Sequence, residues 1–503
     1  MDKQNKLCAT FAKKYSENTI ALSVSIILAL IFGINSPLHP WLGTEAGTDS
    51  SVFKTVVMMM ERGYQPYRDS FDHKGPFLYI LNWLGNRISP YNGIWWIEVT
   101  AIAITLFMLY KTARLVCGKL SSILTALTAF SLAFPYFEGG NFSEEYAMPC
   151  IAVALFFFLD YLLNGRISRL RLIISGCCFG MVLMLRPNMI SVWIVFCILI
   201  TILLLKEKKI KEWFGFVLWF SIGTAIVLLP IFIWLASKHI VMECFESYII
   251  FNMKYSSNET VRTTFGTKWY SFFHFYNSVV FIFAFFGLIS HMRRLEKKIS
   301  ISYMVYLVGT ILLLTMSGMH YDHYGLILIP AVVYPIGLIF SDIENLQESG
   351  TSKTAITLVA LYLLSSLILP NWNNSISSIP LKYEQKDEVA YMEVTTDVLK
   401  LIDEYTDEDD PISVYGNWDI IYVLSNRRHA TRYSYQFPIG VVDPTIMDEY
   451  IASLQRELPK VIVVAYSRYD ETIGEFLKKN NYSVKFCTNR NAPEKSTMLF
   501  VKE

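Results

Sequence analysis

Apolar segments long enough to cross a lipid bilayer recur along the chain as far as Pro370, separated by short polar loops. A transmembrane helix needs about 20 such residues to cross the hydrocarbon core. The pattern predicts eleven spans, near residues 18–36, 94–110, 120–137, 146–163, 172–185, 189–205, 213–235, 271–290, 301–317, 324–341 and 354–370. A further apolar stretch, 76–88, is predicted to be a helix that lies at the membrane interface or dips into it. If this first loop instead crosses twice, the protein has thirteen spans.

Composition agrees with a polytopic α-helical membrane protein. Of 503 residues, 53% are hydrophobic and only 17% are charged, which is far from the average of soluble domains. The formal net charge of +1 gives no indication of a nucleic-acid partner. The eight cysteines form no disulfide or metal-binding pattern, and those in or beside spans are expected to fill the core.

The distribution of Lys and Arg predicts the orientation, because cytoplasmic loops retain positive charge. Basic clusters occur at the N-terminus and then at every second loop, namely at 111–119, 166–171, 206–211 and 293–298. The N-terminus is therefore predicted to be cytoplasmic in a multi-pass protein of the cell membrane. The segments predicted to face outward are 37–93, 138–145, 237–270, 318–323 and everything after Pro370.

The C-terminal part has a mixed polar composition typical of a soluble domain. We predict a transmembrane domain over 1–370, a linker over 371–380 and an extracytoplasmic α/β domain over 381–503. Strand-like runs at 412–415 and 461–464 alternate with helical patterns, as in a small α/β sheet domain. Its loop Gly416-Asn417-Trp418-Asp419 either contacts a sugar or simply packs Trp418 on the sheet, and no catalytic constellation is expected in this domain.

The first outward loop contains an unusual mixture of acids and cations. It holds Asp49 within Gly47-Thr48-Asp49-Ser50-Ser51, and Arg68, His73 and Lys74 within the stretch 67–76. Charges beside a bilayer are costly unless they bind something. A carboxylate such as Asp49 can accept a proton from an attacking hydroxyl, and the cations suit a phosphate group.

Other outward segments supply matching residue types. Glu144 and Glu145 lie at the mouth of the span 146–163, where they are candidates for orienting a sugar or acceptor hydroxyl. Arg186 at a helix end and the run His320-Tyr321-Asp322-His323-Tyr324 before a late span are candidates for approaching the same phosphate. His323 and Tyr324 are also candidates for positioning the acceptor or sugar. The long loop 237–270 is either a mobile lid or a static pair of interfacial helices.

Apart from Arg68, each of these candidate residues also has a purely structural interpretation. Asp49 would cap a helix beginning near Ser50, and the two glutamates would favour the N-terminal dipole of a helix beginning at Tyr146. The remaining residues would be interfacial anchors or helix terminators, namely His73, Lys74, Arg186, His323 and Tyr324. The functional interpretation rests on the combination, because anchoring does not require acid, base and cation together on one face.

Taken in order, these motifs resemble the bacterial GT-C class of polyprenyl-phosphate-dependent glycosyltransferases, near the protein O-mannosyltransferases and the lipid A aminoarabinose transferases. The resemblance covers the whole layout. It implies that Asp49 is the catalytic carboxylate and that Lys74 binds the lipid phosphate. It also implies that the acidic residue in the family's second loop corresponds to Glu144 or Glu145. The family's His-Tyr pair before a late span corresponds to His323 and Tyr324. At His73 the chain departs from the pattern, since relatives of the aminoarabinose transferase have Glu there.

The expected activity is transfer of a sugar from a polyprenyl-phosphate donor to a cell-envelope glycan, lipid or protein at the outer face, with inversion at the anomeric carbon. No cofactor is firmly implied, and a divalent metal held by Asp49 with Glu144 or Glu145 stays an open alternative. A flippase or transporter of lipid-linked sugars is the competing interpretation. Transporters often contain internal repeats and charges at mid-membrane depth, neither of which is visible here.

Overall fold

Long apolar helices form the N-terminal part of the protein, because a helix satisfies its own backbone hydrogen bonds in lipid. The computed structural model describes residues 2–40, 48–90, 92–137, 140–165, 167–257, 278–292, 297–315, 321–346, 358, 361–362, 364–384 and 393–503. The helices of this part are α1 Asp2–Gly33, α2 Thr48–Glu61, α3 Pro76–Ile88, α4 Gly93–Ala113, α5 Lys119–Ser131, α6 Ser143–Asn164, α7 Arg169–Leu185, α8 Ser191–Lys206, α9 Ile210–Ser237, α10 Val241–Phe245, α11 Phe251–Ser257, α12 Ser278–His291, α13 Lys297–Thr315 and α14 Leu328–Leu346. Short 3-10 helices lie at Phe134–Tyr136, Pro187–Met189 and Asp322–Ile327, and π-helical turns at Glu246–Ile250 and Leu364–Ile368.

Six helices within the described ranges are long and apolar enough to cross a bilayer. They are Ser16–Gly33, Gly93–Ala113, Ser143–Asn164, Ile210–Ser237, Lys297–Thr315 and Asp322–Asn345. Shorter apolar helices occur at Ser191–Lys206 and Phe281–His291, and α7 has 17 residues. Parts of the predicted spans 271–290 and 354–370 lie outside the described residues. The protein is a polytopic membrane protein, as predicted.

Helix α4 packs between α1 and α6 near the centre of the bundle. It runs antiparallel to α1, because Trp95 Nε1 donates to Gly33 O at one end and Arg114 Nε donates to Glu17 at the other, both over 2.9 Å. The N-terminal helix and the basic loop after α4 therefore share one end of the bundle. The first loop, which follows α1, begins at the opposite end.

The predicted interfacial helix is present with the predicted bounds, as α3 at Pro76–Ile88. Proline at its first position suits a helix start, where no partner for a backbone N–H is needed. One face, including Leu78, Tyr79 and Asn82, is buried against α2, α4 and α7. Its position relative to the bilayer stays a prediction.

The stretch 371–380, expected to be a linker, lies instead within a helix, α15 at Leu369–Glu384. Trp372 anchors this helix among aromatic rings at the end of α1, with its ring centroid 6.4 Å from that of Phe32. Asn35 Nδ2 donates to Ser375 Oγ over 2.8 Å. The segment is thus a helix packed on the membrane helices, through the buried Trp372 ring and the hydrogen bond to Ser375.

The C-terminal part is an α/β domain, as predicted. Its elements are α16 Glu393–Tyr405, β1 Ile412–Tyr415, α17 Ile420–Ser425, α18 Phe437–Gly440, α19 Thr445–Glu457, β2 Val461–Val464, α20 Glu471–Lys479, β3 Tyr482–Cys487, a 3-10 helix Pro493–Lys495 and β4 Met498–Lys502. The strand order is β1-β2-β4-β3. β1 and β2 pair in parallel, whereas β4 is antiparallel to both β2 and β3.

This domain packs directly on the first loop. Helix α17 contacts α2, and Thr55 Oγ1 donates to Asp419 O over 3.3 Å. Further along, Phe71 N donates to Arg432 O over 2.8 Å. The segment 429–435 therefore lies along the first loop, beside the residues singled out in the sequence.

Candidate functional site

Asp49 and Lys74 form the centre of the candidate site. Helix α2 begins at Thr48 and places Asp49 in its first turn, where the helix dipole also favours a carboxylate. Asp49 Oδ2 lies 3.9 Å from Lys74 Nζ, and the two side chains are 44% and 23% exposed. Burial opposes the charged form of Lys74, but the carboxylates of Asp49 and Asp72 contribute to a raised pKa. The arrangement offers an accessible carboxylate beside a firmly charged ammonium.

The Lys74 loop reaches this position because Gly75 has no side chain. A Cβ at Gly75 would lie 1.9 Å from Met184 O, in the last turn of α7. The loop therefore runs in direct backbone contact with the end of that helix. Arg186, the first residue after α7, is brought to the same region as Lys74.

Arg186 pairs with Glu144, with 2.5 Å between Nη1 and Oε1. Its guanidinium lies 4.1 Å from the centre of the Tyr324 ring, in the geometry of a cation–π contact. Glu144 is 3% and Tyr324 7% exposed. The structure thus joins three of the predicted residues into one buried cluster next to Lys74.

His323 packs against this cluster through its contact with Tyr324. Its ring stacks on Phe142 with 4.0 Å between centroids and an interplanar angle of 4°, and it contacts the Tyr324 ring edge-on at 4.8 Å. Both His323 and Tyr324 are buried. They therefore pack inside the protein, unlike the residues of an interfacial aromatic belt.

Glu145 has a different environment from its neighbour Glu144. Its Oε2 accepts a hydrogen bond from Asn141 N over 2.9 Å, so it satisfies backbone at the start of α6. Glu98 lies near this segment and accepts from Ser36 Oγ over 2.9 Å. Oε1 of each carboxyl has no hydrogen-bond partner within the described part of the chain. Glu98 was not among the predicted site residues, although an acid inside the apolar run 94–110 was an available signal.

Arg68 is placed apart from the other cations. Its guanidinium pairs with the adjacent Asp69 over 3.3 Å, and its side chain is 45% exposed. None of its described contacts is with Asp49, Lys74 or Arg186. The structure therefore does not bring Arg68 into the cluster.

His73 is adjacent to Lys74 but does not provide a positive charge. Its ring stacks on Phe251 with 5.5 Å between centroids, and its carbonyl accepts from Asn252 Nδ2 over 2.7 Å. Burial lowers the pKa of His73 to about 3, and the charge of Lys74 adds to this effect. His73 is thus neutral at physiological pH, in contrast to the expectation of a cation.

The described part of the loop 237–270 covers this side of the site. Residues 241–257 are helical, and Tyr248 OH donates to Leu183 O over 2.7 Å. Lys254 pairs with Asp443 of the C-terminal domain over 3.0 Å. Residues 258–277 lie outside the described structure, so the choice between a lid and a static helix pair stays open.

Asp72 is a buried carboxylate that the sequence analysis did not single out. It accepts hydrogen bonds from His73 N, Tyr79 OH and Tyr435 OH over 2.8, 2.8 and 2.9 Å. Burial raises the pKa of Asp72, whereas Lys74 and these donors partly oppose the rise. Sequence gives little signal for such a role, because Tyr435 comes from the other domain.

Asp419 is a second overlooked carboxylate, in the loop after β1. It is fully buried, and neither carboxyl oxygen has a hydrogen-bond partner of good geometry among the described residues, although the Ser434 hydroxyl partly stabilises the charged form. Burial raises the pKa of Asp419 to about 7, and the charges of Asp72 and Asp49 add to the rise. The C-terminal domain therefore brings a titratable carboxyl towards the first loop.

No group of three or more His, Cys, Asp or Glu side chains in the described ranges is arranged to hold a metal ion. Of the three carboxylates considered for such a site, Asp49 and Glu144 each face a cation, and Glu145 accepts a hydrogen bond from Asn141 N. A paired carboxylate is a poorer metal ligand, because the cation competes for its charge.

Solved structures define the class of this fold. The chain is similar to ArnT from Cupriavidus metallidurans bound to undecaprenyl phosphate, with a TM-score of 0.60 at 11% identity over 96% of this chain and 97% of that chain. The apo state of ArnT gives a TM-score of 0.57 at 12% identity, over 97% and 98%. The archaeal oligosaccharyltransferase AglB from Archaeoglobus fulgidus, in complex with an inhibitory peptide and a dolichol-phosphate, gives 0.51 at 12% identity, over 98% and 74%. The protein has a GT-C fold.

The sequence family is more specific than the fold. The family model described as "Putative competence-induced protein Ccs4 N-terminal domain" matches residues 8–357. The chain belongs to this family. The match includes the first loop and ends before the C-terminal α/β domain. No curated protein matches the chain.

Replacement of Gly75 by alanine is expected to lower stability by about 1–3 kcal/mol, as overpacking does. The new Cβ would collide with Met184 O, and a backbone atom cannot move aside as a flexible side chain can. The melting temperature of the purified protein in detergent measures the effect. Gly215→Ala is the control, because a Cβ there meets nothing within 4 Å. Equal melting temperatures for Gly75→Ala and wild type would contradict the close approach.

Asp419→Asn is expected to make the protein more stable at pH 8 but not at pH 4. The pKa of Asp419 is raised to about 7 in the folded protein from an ordinary 3.8. The wild-type free energy of unfolding is therefore highest below pH 4 with respect to this group, and it falls as the pH rises to 7. The melting temperatures of wild type and variant should therefore diverge between these values. Asp448→Asn, which alters an exposed carboxylate of the same domain, should follow the wild-type profile. A constant difference across pH would contradict the titration of Asp419.

Proposed function

We propose that this protein is a membrane glycosyltransferase that moves a sugar from a polyprenyl-phosphate donor to an acceptor of the cell envelope. The observation that carries the proposal is the accessible Asp49 carboxylate 3.9 Å from the Lys74 ammonium, at one end of a GT-C helix bundle. The ArnT crystal structure contains bound undecaprenyl phosphate, and the AglB structure is a complex with a dolichol-phosphate. A donor of this lipid class suits a site that combines a cation with lipid-facing helices.

Lys74 is the proposed ligand of the lipid phosphate. Its raised pKa keeps it charged, and an ammonium aimed at the leaving phosphate stabilises the charge that grows there in the transition state. Arg186 adds positive potential from the neighbouring helix end, while Glu144 and Tyr324 hold its guanidinium in place. Arg68 and the neutral His73 contribute no charge to this step.

Asp49 is the proposed catalytic base. Its carboxylate takes the proton of an acceptor hydroxyl, and the freed oxygen attacks the anomeric carbon. The bond from that carbon to the phosphate oxygen breaks, and its electron pair leaves with the polyprenyl phosphate. A single displacement of this kind inverts the anomeric configuration. No step requires a cofactor. In this scheme Glu144 and Tyr324, supported by His323, position the sugar or acceptor, and Glu145 acts indirectly through the start of α6.

The chemistry is proposed to occur on the outer face of the membrane. The basic loop after α4 and helix α1 share one end of the bundle, as the pair of Arg114 and Glu17 shows. Cytoplasmic loops retain positive charge, which assigns that end and the N-terminus to the cytoplasm. The candidate site and the C-terminal domain lie at the other end. The acceptor is accordingly an envelope glycan, lipid or protein.

Asp49→Asn and Lys74→Ala are each expected to reduce the turnover rate by about 100-fold or more. The first removes the proton acceptor, and the second removes the cation that binds the phosphate. The assay measures polyprenyl phosphate released from a panel of polyprenyl-phosphate sugars in the presence of cell-envelope extract. Arg68→Ala is the matched control, because it removes a first-loop cation that lies outside the cluster. It should retain activity.

Two results would contradict the proposal. One is full activity of the folded Asp49→Asn variant, which would leave Asp49 with a structural role in the first turn of α2. The other is no turnover with any donor, together with movement of a labelled lipid-linked sugar across liposome membranes. That second result would favour a flippase.

A further inference from the structure

The C-terminal domain contacts the first loop at the point where Lys74 is positioned. Tyr435 OH donates to Asp72 Oδ1 over 2.9 Å, although the two residues are 363 positions apart. Both side chains are buried, with 6% of Tyr435 and 2% of Asp72 exposed. A hydrogen bond from a hydroxyl to a buried carboxylate is charge-assisted and stronger than a neutral one. This contact therefore joins the two domains through a group two residues from Lys74.

Asp72 fixes the backbone that leads to Lys74. Its Oδ1 also accepts from His73 N over 2.8 Å, and its Oδ2 accepts from Tyr79 OH over 2.8 Å. The carbonyl of Lys74 accepts in turn from Tyr67 OH over 3.0 Å. The carboxylate thus lies at the centre of a network that determines the path of the loop from 72 to 74.

Three hydrogen-bond donors compensate for the desolvation of the buried Asp72 carboxylate, and one of them belongs to the C-terminal domain. An ionised carboxylate that loses a donor inside a protein bears a large desolvation cost. Without the Tyr435 hydroxyl, a loop conformation in which water hydrates Asp72 becomes more favourable than the buried one. Lys74 would move with it, away from Asp49 and the end of α7.

Other contacts between the domains hold the first loop less specifically. His429 Nε2 lies 3.0 Å from Ser70 Oγ, and Arg432 Nε donates to Tyr67 O over 3.0 Å. These contacts precede Asp72 in the loop and do not involve its carboxylate. Tyr435 therefore has a role that the general packing of the domains does not replace.

We infer that Tyr435 is a positioning residue of the phosphate site, which acts on Lys74 through the carboxylate of Asp72. The C-terminal domain then takes part in binding the lipid phosphate and is more than a cover over the membrane helices. This inference rests on the proposed function, since it requires Lys74 to bind the phosphate.

The test measures the affinity of the full-length protein in detergent for undecaprenyl phosphate. Tyr435→Phe removes only the hydroxyl and is expected to weaken binding by about tenfold, as loss of a hydrogen bond to a charged group does. Tyr482→Phe is the matched control, because the Tyr482 hydroxyl donates to Pro459 O inside the same domain. It should bind like wild type.

The double variant distinguishes positioning from general destabilisation. If Tyr435 acts through Asp72, Tyr435→Phe should weaken binding no further in an Asp72→Asn background. Fully additive losses would overturn the inference, as would unchanged affinity of Tyr435→Phe. Should Tyr435→Phe fail to fold, weaker binding by Asp72→Asn supports the inference and wild-type affinity overturns it.

Failure of the underlying function has a separate signature. If wild-type protein does not bind undecaprenyl phosphate, or Lys74→Ala binds it equally well, then Lys74 is not the phosphate ligand and both proposals fall. If wild type binds and Lys74→Ala does not, while Tyr435→Phe matches wild type, only the role of Tyr435 is lost.

Discussion

Charges buried at the end of a membrane helix bundle must be paired, and this constraint organises the protein. Removal of an ionised group from water costs several kcal/mol even after relaxation, unless an opposite charge and hydrogen bonds compensate. The buried Glu144 faces Arg186, and the largely buried Lys74 faces Asp49, whose side chain is 44% exposed. These partners come from α2, the loop before α3, α6 and the end of α7. The pairing therefore requires that the first loop fold back over two helix ends that are distant in sequence.

The C-terminal domain participates in the same compensation. Asp72 is stabilised by three donors, and Tyr435 supplies one of them across the domain boundary. Asp419, on the domain's own side, has no such donors within the described structure, and its pKa is raised to about 7. The interface thus contains one satisfied carboxyl and one unsatisfied carboxyl. The first links the domains through the Tyr435 hydroxyl, whereas burial favours the neutral form of the second.

The elements of the fold that depend on local pattern were predictable from the sequence. The helix 76–88 and the strands 412–415 and 461–464 have the predicted bounds, because apolar runs flanked by Gly or Pro specify them. The helix over 371–380 was not predictable in this way. Trp372 holds it against rings around Phe32 that are distant in sequence. The strand β3 was not assigned either, because Tyr482–Cys487 is half exposed and mixes polar with apolar residues.

For the site, sequence indicates residue types but not their partners. Glu144 and Glu145 are indistinguishable in the sequence, yet adjacent residues on a helix point in directions about 100° apart. One therefore reaches Arg186 and the other turns back to Asn141. The charge state of His73 is equally invisible, because it depends on burial against α11 and not on neighbours in the chain. Tyr435 is the extreme case, since its function exists only through a carboxylate that folding brings to it from the other domain.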